Sequence, residues 1–311
     1  MKQKVLVIAG PTAVGKTALS VSLAKELNAE IVSADSMQIY TGLDIGTAKP
    51  TVKERSGITH HMIDVCHPSE RFSVAQYVKE ANAVIDSVFL KNKAVIIVGG
   101  TGLYIDNLIY NNNFSELDVD MKIRADLQKE AEEIGGEALL EKLSTIDPLY
   151  ASKLHPNDTK RIVHALEIFY STGKTQSEHI SESRKAEPKY DYLYAVLDCS
   201  SRNVLYERIN KRVDVMLDSG LVDEAKKVIY SDWYQNSTAS QAIGYKEFEP
   251  YFRGEVSLEK CVELLKQRSR NYAKRQLTWF RHKDEARFYY IDKSKSVFDE
   301  IIKDFSRRIN D

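Results

Sequence analysis

Gly10-Pro11-Thr12-Ala13-Val14-Gly15-Lys16-Thr17 is the stretch of this sequence best equipped to hold a polyphosphate. It matches G-x-x-x-x-G-K-[ST] in full, follows a short apolar run and opens a helical pattern. The glycines let the backbone curl so that successive N–H groups converge on phosphate oxygens, and the helix N-terminus adds positive potential. Lys16 brings a charge to the phosphates, and the Thr17 hydroxyl is placed to ligate Mg2+. The pattern specifies a polyphosphate without saying which one.

The second chemical feature is a carboxylate at an unusual place. A nucleotide hydrolase of this kind ends an apolar strand in an Asp that holds the metal. Here Ala94–Val98 runs instead into Gly99-Gly100-Thr101-Gly102, and the guanine-reading pattern N-K-x-D fails at Val95. The strand-end acid nearest the phosphate loop in a parallel sheet is Asp35, in Ser33-Ala34-Asp35-Ser36-Met37-Gln38, facing the same crevice. Asp35 can serve as a metal ligand, as a general base or as a helix N-cap, and spacing leaves all three open. Thr101 lies at the same sheet edge. With a small hydroxylated acceptor the same set would suit a kinase.

A third feature lies near the far end. Residues 264–283, LLKQRSRNYAKRQLTWFRHK, hold seven Lys or Arg and no acid. Tyr272, Trp279 and Phe280 interleave with these cations, a combination suited to phosphates beside unstacked bases, as in looped RNA. The alternative is a basic surface helix whose aromatics pack in the core. His60, His61 and His67 have no thiolate or carboxylate at metal-ligand spacing and predict no zinc site.

Several elements must position these groups. Val5–Ala9, Glu30–Ala34 and Ala94–Val98 read as buried strands, with helices at Ala18–Leu27 and Val74–Leu90 between them. That order predicts an α/β core of P-loop NTPase-like type, a parallel sheet with helices on both faces. Asn111-Asn112-Asn113 signals a loop. An acidic helical stretch follows, read as a solvated face and interrupted at Gly135-Gly136, and then a helix at Thr159–Tyr170. Tyr192–Leu197 reads as a strand returning to the sheet, with long helices at Arg202–Ile229 and Leu258–Phe280. The expected organisation is a core of residues 1–112 and 195–311 around an all-helical insertion, 113–194.

The 311 residues carry 44 basic and 45 acidic side chains, a net charge of −1, and 43% are hydrophobic. That excludes a disordered or collagen-like chain. No run approaches the ~20 apolar residues of a membrane span, and Val5–Ala9 is too short for a signal peptide. Three scattered cysteines form no C-x-x-C pair and predict a reducing, cytoplasmic setting. The near-neutral total conceals a segregation, because residues outside 264–283 carry −8.

Taken together the motifs resemble those of the tRNA dimethylallyltransferases, the isopentenyltransferases that modify adenosine 37 beside the anticodon. The likeness includes Gly10–Thr17, Asp35–Tyr40 (DSMQIY), Gly46–Pro50 (GTAKP), His60–Asp64 (HHMID) and Gly99–Ile105 (GGTGLYI). It continues through Asn157-Asp158 with Arg161, Ala165-Leu166-Glu167, Arg212-Val213-Asp214, Ala242–Glu247 (AIGYKE) and Arg270–Arg281 (RNYAKRQLTWFR). Thr41 and His164 stand where the family often has a basic residue. The resemblance is to bacterial-type enzymes, and nothing in the sequence calls for more than a monomer.

The resemblance implies that the loop holds dimethylallyl diphosphate with Mg2+ on Thr17, and that adenosine N6 attacks the prenyl C1 while Asp35 takes its proton. Arg212 would share the leaving-group charge, and Thr101 would orient near the prenyl diphosphate or the adenosine. On the tRNA anticodon stem-loop, Ser36, Met37 and Gln38 would read the extruded base, with Arg124 and Arg161 contributed by the insertion. The segments with Gln241, Gly244 and Lys246, and with Arg270, Lys274, Arg275 and Arg281, would hold the RNA backbone.

Overall fold

The computed structural model describes residues 2–110, 121–185, 187–294 and 296–310. Six strands are present among them: β1 (Lys4–Ala9), β2 (Ala29–Ser33), β3 (His60–His61), β4 (Ala94–Gly99), β5 (Asp191–Asp198) and β6 (Ala286–Tyr290). They pair in the order β3-β2-β4-β1-β5-β6, every pair parallel. Helices α1 (Lys16–Glu26), α2 (Val74–Leu90) and α3 (Gly102–Tyr110) connect the first strands. The central strands are buried on both sides, as a sheet covered by helices on both faces requires. Because all strands run the same way, the loops after β1, β2 and β4 open on one edge.

By its contacts the chain divides into two units, residues 1–109 with 189–311, and residues 110–188. The second contains α4 (Met121–Ile146), α5 (Thr159–Thr172) and α6 (Gln176–Lys185), with Leu127, Leu139, Leu143, Ile162 and Leu166 at its centre. A break in α4 at Gly135 (φ 79°, ψ 167°) falls where the Gly-Gly pair predicts it. Buried Asp147 ties this unit together, accepting from the N–H of Tyr150 (3.0 Å) and of Ser177 (2.8 Å). In the larger unit the Lys189 N–H donates to the Ile109 carbonyl at 2.8 Å, so the chain re-enters beside its exit.

Two sequence expectations change, and two edge strands are added. The insertion boundary at 194 falls inside β5, since Asp191 already pairs with Lys4 and the half-buried start of the strand lacks an apolar signature. The helix expected at Arg202–Ile229 is two, α7 (Arg202–Asp218) and α8 (Leu221–Ile229), parted at Ser219-Gly220. β3 and β6 are edge strands too short or too exposed to show a pattern. The Asn111–Asn113 loop lies outside the described residues. α9 (Leu258–Arg281) and α10 (Val297–Asn310) complete the larger unit.

Candidate active site

β1 delivers the Gly10–Thr17 loop, the expected phosphate loop, to the sheet edge, and Gly15, in a left-handed conformation (φ 99°), starts α1 at Lys16. Lys16 turns back on its own loop, its Nζ donating to the carbonyls of Gly10 (2.9 Å) and Pro11 (2.7 Å). Burial, and then the Arg212 guanidinium, push the Lys16 ammonium down to about 7, against the pull of Asp35. Arg212, from α7, donates to the Thr12 hydroxyl (3.3 Å) and the Ala48 carbonyl (3.4 Å). Its own pKa is lowered by burial, opposed by Asp35 and Glu54. One turn earlier Arg208 holds the outside of the loop, Nε to the Ala13 carbonyl at 2.9 Å. Two cations thus meet at the loop with carbonyls and hydroxyls as direct partners, an arrangement that favours an anion.

Opposite them, β2 and β4 end side by side. A Cβ on Gly99 would lie 2.0 Å from the Ala34 carbonyl oxygen, so only glycine allows the approach. The Ala34 N–H donates to Val98 (2.7 Å) and the Thr101 N–H to Ala34 (3.2 Å), which brings Asp35 and Thr101 together. Thr101 Oγ1 accepts the Ser36 N–H at 3.1 Å. Asp35 Oδ1 accepts from the N–H of Met37 (2.9 Å) and Gln38 (3.3 Å), which caps the turn and leaves Oδ2 without a protein hydrogen bond among the described residues. Capping therefore occupies only one of its two oxygens.

The sequence places other residues near the site, and the structure gives them internal partners. Gln38 Nε2 donates to the carbonyls of Thr47 (3.2 Å) and Ala48 (3.3 Å), which fixes the loop that also meets Arg212. Gly244 is buried against Gly46, with its N–H given to Glu247 (2.9 Å). Gln241 is exposed and Lys246 half-buried. In the helical unit Arg124 bonds buried Glu167 at 2.6 Å, while exposed Arg161 lies 3.6 Å from Asp158 and over the Tyr150 ring.

The basic segment is less free than its composition implies. Lys266 pairs with Asp214, Arg268 with Glu247, Arg281 with Asp198 and Lys283 with Asp106. Arg270 donates to Asn210 at 2.7 Å. Lys274 and Arg275 are exposed and have no acidic partner among the described residues; the Arg275 guanidinium sits over the Tyr272 ring. Of the interleaved aromatics, Phe280 is fully buried and belongs to the core, because α9 turns it inward with Ala273 and Leu277. Trp279 is half-exposed and donates its indole N–H to Asp106 (2.9 Å).

The IPP transferase family model matches residues 38–283. The chain belongs to the IPP transferase family. A tRNA dimethylallyltransferase of Bacillus velezensis is 50% identical over 282 residues, 91% of this chain and 89% of the relative. One from Acetivibrio thermocellus is 48% identical over 298 residues, 96% of this chain and 94% of the relative. The crystal structure of a tRNA delta(2)-isopentenylpyrophosphate transferase from Staphylococcus epidermidis has a TM-score of 0.72 at 43% identity, covering 99% of this chain and all of that one. As a member of the IPP transferase family the chain is a prenyltransferase.

The internal contacts of two residues beside the site, Tyr272 and Gln276, escape a reading of motifs. Tyr272 lies near Thr101 and close enough to feel the Asp35 charge; burial, first of all, raises its phenol. Gln276 bonds the phosphate loop directly, accepting the Thr12 N–H at 2.9 Å. The available signal is a polar Gln in the buried stripe Ala273, Gln276, Leu277, Phe280 of an otherwise basic helix.

Proposed function

We propose that the protein transfers the dimethylallyl group of dimethylallyl diphosphate to N6 of adenosine 37 in tRNA, releasing diphosphate. The observation that carries this reading is the pairing, across one sheet edge, of a doubly cationic phosphate loop with the Asp35 carboxylate, in a chain whose relatives are tRNA dimethylallyltransferases. N6 attacks C1 of the prenyl chain, the C1–O bond breaks toward diphosphate, and Asp35 Oδ2 takes the N6 proton. An aromatic amine is a weak nucleophile, and such a base contributes ~10²–10⁴-fold. Lys16, Arg212 and the loop N–H groups receive the leaving-group charge.

Absence of a strand-end Asp on β4 fits a loop that aligns no water on a terminal phosphate. Among the described residues no three His, Cys, Asp or Glu side chains cluster to cage a metal. The Thr17 hydroxyl beside phosphate oxygens and water suits Mg2+, which keeps most of its ligands non-protein. When bound, Mg2+ neutralises diphosphate charge. The acceptor base leaves its stack to reach Asp35. Ser36 and Met37 would meet it; Lys274 and Arg275, and exposed Arg161 of the helical unit, would meet RNA phosphates, whereas Arg124 is held by Glu167. The protein acts as a cytoplasmic monomer; no described helix is long and apolar enough to cross a membrane.

Mass spectrometry of nucleosides from tRNA incubated with the protein, Mg2+ and dimethylallyl diphosphate tests the reading. N6-isopentenyladenosine at position 37 is expected. ATP turnover without RNA, and no prenylated nucleoside, would replace it with a small-molecule kinase.

A further inference from the structure

Gln276 makes two hydrogen bonds that belong to different halves of the site. Its Oε1 accepts the Thr12 N–H at 2.9 Å and its Nε2 donates to the Gly100 carbonyl at 3.0 Å. A main-chain N–H can only donate and a carbonyl only accept, so these partners fix which way the amide points. The side chain is buried, and the approach is so close that a Cβ on Gly100 would lie 2.1 Å from Nε2. On one side Thr12 carries the hydroxyl that receives Arg212. On the other, Gly100 precedes Thr101, whose hydroxyl receives the N–H of Ser36, next to Asp35. One amide therefore spans the phosphate loop and the carboxylate edge.

Its place on α9 adds a third connection. Lys274 and Arg275, exposed and without acidic partners among the described residues, lie within two residues of Gln276 on the same helix. Tyr272, one turn before Gln276, lies near both Gln276 and Thr101. A small shift of α9 under an RNA backbone must move the Gln276 amide, and with it the Thr12 N–H or the Gly100 carbonyl.

We propose that Gln276 is a positioning residue that couples RNA bound on α9 to the geometry of the phosphate loop. The inference rests on the proposed prenyl-transfer reading for its two ligands. Coupling between two binding sites is reciprocal, and its usual size is fivefold or more in affinity.

The test measures the dissociation constant of inorganic pyrophosphate with Mg2+, with and without a saturating anticodon stem-loop RNA. The wild-type protein should show a change of about fivefold or more. Gln276→Met, close in volume but unable to bond either partner, should reduce the change to less than about twofold, with each ligand still bound alone. Gln276→Glu keeps an acceptor for Thr12 and loses the donor to Gly100; it should lose the coupling too, which guards against misfolding of the first variant. A purely structural role would lower the melting temperature and leave the coupling intact, which would overturn the inference. Independent binding of the two ligands to the wild-type protein would overturn it while sparing the reading beneath. Failure of either ligand to bind at all would remove both.

Discussion

The two edges of the sheet treat buried charge in opposite ways. At the amino edge Glu30 is 3% exposed and bonded by the His61 ring at 2.7 Å and by the ammonium groups of Lys93 at 2.8 Å and Lys91 at 3.3 Å. Although burial opposes ionisation, these hydrogen bonds hold its carboxyl down at about 2. At the carboxyl edge Lys16 and Arg212 have no acid hydrogen-bonded to them among the described residues. Lys16 and Arg212 repel each other, and Lys16 is bonded only to carbonyls of its own loop. A satisfied buried charge contributes to the fold, whereas an unsatisfied pair is a site waiting for an anion.

The largest effect should separate chemistry from folding at the carboxyl edge. Asp35→Asn keeps the acceptor for the Met37 and Gln38 N–H groups and loses the base. Prenyl transfer should fall by ~10²–10⁴-fold, with melting temperature and RNA affinity little changed. Single-turnover rates check this; an unaltered rate would remove Asp35 from the mechanism.

Glu30→Gln should do the reverse, costing on the order of 3 kcal/mol of stability at neutral pH with KM unmoved. A carboxylate with a lowered folded-state pKa stabilises the fold above its unfolded value, and that contribution disappears as pH falls through the folded one. Wild-type stability should therefore decline between about pH 4.5 and 2 by more than that of the variant, as denaturant titrations across this range would reveal.

Next comes the pH dependence of pyrophosphate binding. Lys16 in the free site loses its proton above about pH 7, and only the charged form attracts the ligand. Affinity should fall about tenfold per pH unit above 7, until the raised pKa of the complex is reached. Binding near pH 8 should take up a proton, visible by calorimetry in buffers of different ionisation enthalpy. Lys16→Arg, which remains charged, should flatten the component due to Lys16. Equal slopes would place the titration elsewhere.

The smallest effect extends the same contrast to residues 264–283, where five cations are bonded within the fold and Lys274 and Arg275 have no acidic partner among the described residues. Replacing Lys274 and Arg275 should reduce the salt dependence of RNA binding by ~0.7 log unit per lost phosphate contact. Replacing Arg268, tied to buried Glu247, should cost stability and leave the slope alone. Equal slopes for both sets would mean that pairing within the fold does not decide which cations meet RNA.

Whatever is written locally was legible in the sequence. The phosphate loop, the Asp35 turn and the central strands each depend on neighbours within a few residues, and hydrophobic runs with glycine punctuation mark them. What escaped depends on partners far along the chain. Gln276 meets Thr12 across 264 residues and Arg208 meets Ala13 across 195. A run of seven basic residues cannot show that Asp214, Glu247, Asp198 and Asp106 come to meet four of them. The burial of Phe280 is a matter of helix phase, which alternating charges obscured.

The bond between Ile109 and Lys189 has a topological consequence. Seen from the sheet, everything between them is one oversized hairpin turn whose ends already touch. Loop-closure entropy grows only with the logarithm of length, and lengthening the connection from β1 to β5 by this segment costs about 0.5 kcal/mol. The larger unit can thus carry the smaller as cargo at almost no penalty. A short glycine-rich bridge in its place should leave the parallel sheet able to assemble.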